Sequence, residues 1–176
     1  MMRRGSVIVA GLGPGGRDGL TLGAWDALRE ARVLLLRTDR HPVAEWLREQ
    51  GIVFETYDAV YEACGTFEEV YERIAEDVLK RAEAGETVTY AVPGHPSVAE
   101  STVARLKQRC AERGVGFRLI GSESFLDQAF AALGFDPADG FQLADATAFR
   151  PERLNPHHHI LITQVYDRFT ASDVKL

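Results

Sequence analysis

Short apolar runs alternate with stretches of helical periodicity along the whole chain. This constrains the fold more than any single motif, because strand–helix–strand repeats pair their strands in parallel and bury both faces of the sheet under helices. Residues 6–12 are rich in β-branched side chains and end in glycines, the mark of a strand buried on both faces. Further strands are predicted at 33–36, 52–56, 87–92, 117–120 and 160–166, with a weak one at 141–143. Helices are predicted at 21–32, 43–50, 66–84, 98–113 and 124–133, most of them closed by a glycine. Thr66 and Glu69 form a T-x-x-E capping box, and Phe67, Val70, Tyr71, Ile74 and Val78 line one apolar stripe. Residues 171–176 read as the start of a helix without a cap or a following strand, as in a domain cut from a longer chain. The glycines at 114–116 suggest a division into lobes at 1–114 and 115–176.

Composition removes several function classes. With 176 residues, 45% of them hydrophobic, the chain buries a core without disulfides. Cys64 and Cys110 stand apart and read as reduced thiols of a cytoplasmic protein. A net charge of −6 argues against nucleic acid and anionic membranes as partners. No apolar stretch approaches the roughly 18 residues of a membrane span, and no targeting segment is visible.

In parallel sheets ligands bind beyond the carboxyl ends of the strands, and the Gly- and Pro-rich loops of this chain fall there. Gly11-Leu12-Gly13-Pro14-Gly15-Gly16 matches G-x-G-x-x-G. A dinucleotide site needs the helix to start inside that loop, whereas here it is delayed to about Thr21, and Pro14 removes one N–H. A structural turn, or a loop that lets another ligand approach the backbone, fits better. In Pro93-Gly94-His95-Pro96, two prolines stiffen a turn, and His95 is either an acid–base group or a turn histidine bonded to backbone. Ser122 or Ser124 caps the helix that follows, and no G-x-S-x-G surrounds either. His157-His158-His159 reads as a polar strand entrance rather than a metal site. Glu68, Glu69, Glu72, Glu76 and Asp77 read as a solvated helix face.

In their order and spacing these loops resemble the tetrapyrrole methylase family, the class III methyltransferases that use S-adenosyl-L-methionine (SAM). The family's G-x-G-P-G-x-x-x-x-L-T is similar to residues 11–21, its G-G-D-P loop to residues 93–96, and its P-G-x-[ST]-[AS] turn to residues 120–124. Runs such as Leu36-Arg37-Thr38, Tyr57-Asp58-Ala59-Val60-Tyr61-Glu62 and Ile162-Thr163-Gln164-Val165-Tyr166 resemble the YabN-like domains that precede a MazG pyrophosphohydrolase domain.

The resemblance implies an α/β fold of two lobes, a mainly parallel N-terminal sheet with helices on both faces and a smaller mixed C-terminal sheet. It implies SAM as cofactor, a small-molecule methyl acceptor, a homodimer, and a MazG domain outside this chain. Carried over by position, Pro14, Pro93, Gly94, His95, Val98, Glu123, Ser124 and Gln164 would contact SAM. His95 stands where the family commonly has Asp. If the acceptor must lose a proton, His95, Asp58 and Tyr61 are the candidate bases. The alternative is a non-catalytic SAM- or nucleotide-binding module regulating an attached hydrolase. Glu69-x-x-Glu72 has no E-x-x-D after it, so no triphosphate hydrolysis is expected from this chain.

Overall fold

The computed structural model describes residues 5–175. The chain forms two compact units, Met1–Asp127 and Gln128–Leu176. The division falls later than Gly114 because the strand after that glycine belongs to the first sheet.

That sheet is parallel, in the order β3-β2-β4-β1-β5. Its strands are β1 (Ser6–Gly11), β2 (Val33–Leu36), β3 (Glu55–Thr56), β4 (Thr87–Val92) and β5 (Gly116–Ile120). Each strand alternates its side chains between two helical layers. Val7, Val9, Leu35, Val88, Tyr90 and Val92 face one core, packed under α4 (Phe67–Glu83) and α5 (Ser101–Arg113). Ala10, Leu34, Leu36 and Ala91 face the other, packed under α1 (Leu22–Arg29) and α2 (Pro42–Glu49).

Helix ends follow local chemistry closely. The side chain of Thr21 caps α1 by accepting from Ala24 N–H at 3.2 Å. At the end of α2, Gly51 takes φ +74, its N–H bonds Arg48, and the N–H of Ile52 bonds Leu47. This is a Schellman closure, and it shortens β3. Ile52 spends its N–H on the helix, Val53 is exposed, and only Glu55 and Thr56 pair with β2.

Other expectations also need correction. The Thr66 side chain accepts from Glu69 N–H, but the Glu69 carboxylate reaches back to Gly65 N–H rather than to Thr66. Helix α5 starts at Ser101, not Val98, because Ala99 has φ +54, which an α-helix does not admit. A short helix, α3 (Asp58–Ala63), is too brief to show a period in the sequence. The glutamates of α4 also do more than meet solvent: Glu68, Glu72, Glu76 and Glu83 pair with Arg105, Arg109 and Arg113 of α5.

The second unit holds β6 (Phe141–Asp145) and β7 (His159–Thr163). Expected to be mixed, this sheet has two parallel strands among the described residues. Helix α6 (Phe125–Leu133) contributes Phe130, which packs edge-on against Phe135 and Phe141. His159 stacks on Phe135 at 4.0 Å. Strand β7 stops at Thr163, since Gln164 has φ +62. The last helix, α7 (Arg168–Lys175), begins before Ala171 and does have a cap, the Asp167 carboxylate, which accepts from Phe169 and Thr170 N–H groups.

Ile74 of α4 is fully buried in the first core. Truncation there leaves a cavity, so Ile74→Ala is expected to lower unfolding free energy by about 2–5 kcal/mol, measured by urea denaturation.

Candidate ligand site at the carboxyl ends of the strands

The loops after β1, β4 and β5 meet through their main chains. Gly13 and Gly94 form an antiparallel bridge, with Gly94 N–H donating to Gly13 O at 2.7 Å and Gly13 N–H to Gly94 O at 3.2 Å. Neighbouring Gly11 leaves no room for a side chain, since a Cβ would lie 2.5 Å from Gly94 O and 3.0 Å from Ser122 N. The buried Ser122 hydroxyl donates to Gly11 O at 2.7 Å. Thr21 Oγ1 donates to Gly121 O at 2.7 Å, and Glu123 N–H donates to Gly19 O at 3.1 Å. Much of the glycine-rich opening is therefore explained by backbone-to-backbone packing.

Most of the carried-over positions gather here. Pro14 follows the bridge and packs close to Gly19. Pro93, Gly94 and His95 form the turn after β4; Gly94 has φ +67, and nothing lies within 4 Å of where its Cβ would stand. Val98 closes a turn by donating its N–H to His95 O at 3.0 Å. Ser124 is buried, and both its N–H and its hydroxyl meet Asp127 Oδ2. Gln164 lies in the second unit, just beyond β7.

The candidate bases are all engaged. His95 Nδ1 accepts from Ser97 N–H at 3.1 Å, and its ring lies against Gly121, whose Cβ would come within 2.4 Å of Nε2. This is the geometry of the turn histidine. The Asp58 carboxylate accepts from the Thr38 hydroxyl at 2.6 Å and from Asp39 N–H at 2.7 Å. Burial works to raise its pKa, but these hydrogen bonds outweigh it and hold the carboxyl below its ordinary value. The Tyr61 hydroxyl accepts from Arg37 Nε at 2.7 Å. Burial raises its pKa despite that bond.

Several positioning groups carried no assignment from sequence. Arg37 meets Glu100 as well as Tyr61, and burial lifts the Glu100 carboxyl above its ordinary value against the pull of Arg37. The Tyr90 hydroxyl nearby is fully buried and has no hydrogen-bond partner among the described residues. His41 Nε2 lies 3.0 Å from Gly13 O, while Nδ1 accepts from Val43 N–H at the start of α2. Together these contacts select the neutral ring with its proton on Nε2. Sequence motifs miss such groups because Arg37 finds Tyr61 and Glu100, and His41 finds Gly13, far away in the chain.

A separate hollow of about 800 Å³ opens beside α1 and is lined by Asp26, Glu30, Thr87, Thr89 and Arg118. It meets these loops only at Ile120, the last residue of β5. Among the described residues no three His, Cys, Asp or Glu side chains are grouped to hold a metal, and no helix is long and apolar enough to cross a membrane.

The His41 geometry has a pH signature. Burial lowers its pKa below the ordinary 6.5, more than the Gly13 bond raises it. The unfolded state therefore binds the proton more readily, and the stability contributed by the neutral ring is present above about pH 6.5 and lost as pH falls. Thermal melts from about pH 7 to pH 5 should show this loss, at most about 1.4 kcal/mol per pH unit. His41→Asn, which keeps a capping oxygen, should flatten that part of the profile.

Residues 6–168 match the family model described as Tetrapyrrole (Corrin/Porphyrin) Methylases. The chain is 45% identical over 172 residues to the uncharacterized protein YabN of Bacillus subtilis (strain 168), covering 98% of this chain and 35% of YabN. It is 32% identical over 169 residues to a methyltransferase/ribosomally synthesized type I borosin cyclic peptide precursor of Serendipita vermifera subsp. bescii, covering 93% of this chain and 41% of that protein. It thus spans well under half the length of these relatives. The fold is similar to that of uroporphyrin-III-C-methyltransferase from Thermus thermophilus, with a TM-score of 0.64 and 24% identity, covering 83% of this chain and 63% of that one. Diphthine synthase matches with a TM-score of 0.62 and 21% identity over 79% of this chain and 52% of that one. The glycine-bridged loops, the sheet order and the matched sequence agree: the chain belongs to the tetrapyrrole methylase family.

Proposed function

We propose that this chain is a SAM-binding methyltransferase domain acting on a small-molecule acceptor, tetrapyrrole-like or otherwise. The observation that carries the reading is the Gly13–Gly94 bridge, with open space over Gly94 at a rigid turn beyond the strand ends. A preorganised backbone of this kind loses little entropy on binding a small polar ligand. Family membership, and the methyltransferase names of relatives and structural neighbours, support SAM as that ligand.

SAM supplies an activated methyl group that an acceptor takes by in-line displacement. The chain's own residues then need only orient donor and acceptor at about 3–3.5 Å and exclude water. Pro93, Gly94, His95 and Val98 would hold the amino-acid end and ribose, Pro14 would line the same wall, and Glu123 and Ser124 would bound it on the β5 side. With His95 in place of an acid, the turn offers no carboxylate to the SAM ammonium, so backbone carbonyls are the acceptors in that role. A homodimer, and a MazG pyrophosphohydrolase domain linked to this one, are the proposed partners.

One observation favours the second reading, a SAM- or nucleotide-binding module without turnover. His95, Asp58 and Tyr61 all use lone pairs in structural hydrogen bonds. An acceptor with a free lone pair of its own needs no base, and this separates the two readings by experiment.

Thermal unfolding with S-adenosylhomocysteine, SAM, NAD and ATP tests the proposal. A ligand at about a hundred times its Kd adds about 2.7 kcal/mol, and each kcal/mol moves Tm by about 2–4 °C at this size. A shift with the two sulfur ligands alone is expected, and no shift with either sinks the SAM reading. Binding without methyl transfer to any porphyrinoid supports the module. Gly94→Leu fits the space around the turn at a cost of about 1–2 kcal/mol for its left-handed backbone. It should keep the fold and lose the shift; a normal shift in that variant removes this turn from the site.

A further inference from the structure

We propose that Arg37 and Glu100 are positioning residues whose ion pair latches the far end of the loop at residues 93–100 in its ligand-receiving conformation. The proposal rests on the SAM-site reading only for what the loop receives. Main-chain bonds secure the near end of the loop, through Leu12 N–H to Val92 O at 2.8 Å and through the Gly13–Gly94 bridge. Among the described residues no comparable backbone bridge holds the far end. There Ala99 adopts φ +54, a left-handed conformation that a residue with a Cβ seldom occupies without outside constraint.

Glu100 supplies the constraint. It stands at the N-cap of α5 with φ −117 and ψ 86, yet its side chain makes no capping hydrogen bond. Ser, Thr, Asp and Asn are the residues that favour this position. Instead its carboxylate, 4% exposed, meets Arg37 Nη1. Arg37 is anchored in turn, its N–H donating to Ala91 O at 2.9 Å and its Nε to the Tyr61 hydroxyl on α3 at 2.7 Å. The guanidinium fork therefore ties the start of α5 to β2 and α3 together.

Stability alone explains none of this. A buried ion pair rarely outperforms well-packed apolar side chains, because both charges must leave water. A helix start without its cap leaves N–H groups unpaired. What the pair does supply is a fixed position for residues 95–100, the segment that carries His95 and Val98.

Hydrogen exchange without ligand tests the latch. The reporters are the amides of Ser97 and Val98, which bond His95 Nδ1 and His95 O. The double variant Arg37→Met/Glu100→Ser removes both charges and offers a capping hydroxyl. It should exchange these amides about tenfold faster or more, while β1 and β4 amides keep wild-type rates and the unfolding temperature does not fall. Arg37→Lys keeps the charge but lacks the fork that spans Tyr61 and Glu100, and should also loosen the loop. Glu100→Gln keeps an acceptor for Arg37 and should restore protection.

Wild-type exchange of Ser97 and Val98 in both the double variant and Arg37→Lys overturns the latch. If the double variant does not fold, Arg37→Lys decides alone. In parallel, Kd for S-adenosylhomocysteine should rise about tenfold in the loosened variants. Unchanged Kd in a variant with a loosened loop overturns the positioning role. A wild-type protein that binds no S-adenosylhomocysteine sinks the SAM reading instead, and the exchange rates still decide the latch.

Discussion

The ligand end of this protein depends on two main chains lying closer together than side chains permit. Gly13 and Gly94 exchange backbone hydrogen bonds, and Gly11 lies where any Cβ would strike Gly94 O. Once these glycines bring the loops after β1 and β4 together, other groups settle around the contact. Ser122 bonds Gly11 from the β5 side, and His41 bonds Gly13 from the start of α2. The loops after four strands are thus referred to one short stretch of backbone. A ligand surface built this way is mostly N–H and C=O groups, held rigid by a sheet buried on both faces.

The rigidity comes from the core rather than from charge. Val7, Val9, Val88, Tyr90 and Val92 on one side, and Ala10, Leu34, Leu36 and Ala91 on the other, are essentially removed from water. Burying a side chain of Val or Leu size contributes about 1.5–3 kcal/mol. The ion pairs between α4 and α5 are half-exposed on their glutamate side, where such pairs contribute about 0–1 kcal/mol each. They set the register of two helices that the apolar stripe already holds together. Arg37 and Glu100 differ, because their charges are largely buried and lie at the edge of the ligand loop.

Local patterns made most of the first unit legible. Parallel strands buried on both faces leave β-branched runs, and helices that end in a left-handed residue leave glycines, as Gly51, Gly85 and Gly114 show. What stayed hidden depended on competition between elements. Residues 52–54 look like strand, but Ile52 gives its N–H to the α2 closure. Residues 98–100 look like helix, but Glu100 is drawn to Arg37 and Ala99 turns left-handed. Helix α3 is too short to carry a period, and it is anchored by Asp58 and Tyr61 to residues on the far side of α2 in sequence.

The sequence by itself determined the α/β class, most of the strands and helices of the first unit, and the glycine-rich loops beyond the strand ends. These follow from periodicity and from the backbone freedom of a few glycines, which are local properties. Only the tertiary structure decided what the polar side chains in those loops do. In sequence His95 reads equally as an acid–base group or as a turn histidine, and the fold selects the second, with Nδ1 bonded to its own turn. Asp58 looks like a base and instead ties the loop after β2 to α3. The partners of a hydrogen bond or an ion pair are chosen by distance in space, and a lone pair already committed to one neighbour is not free for chemistry with another.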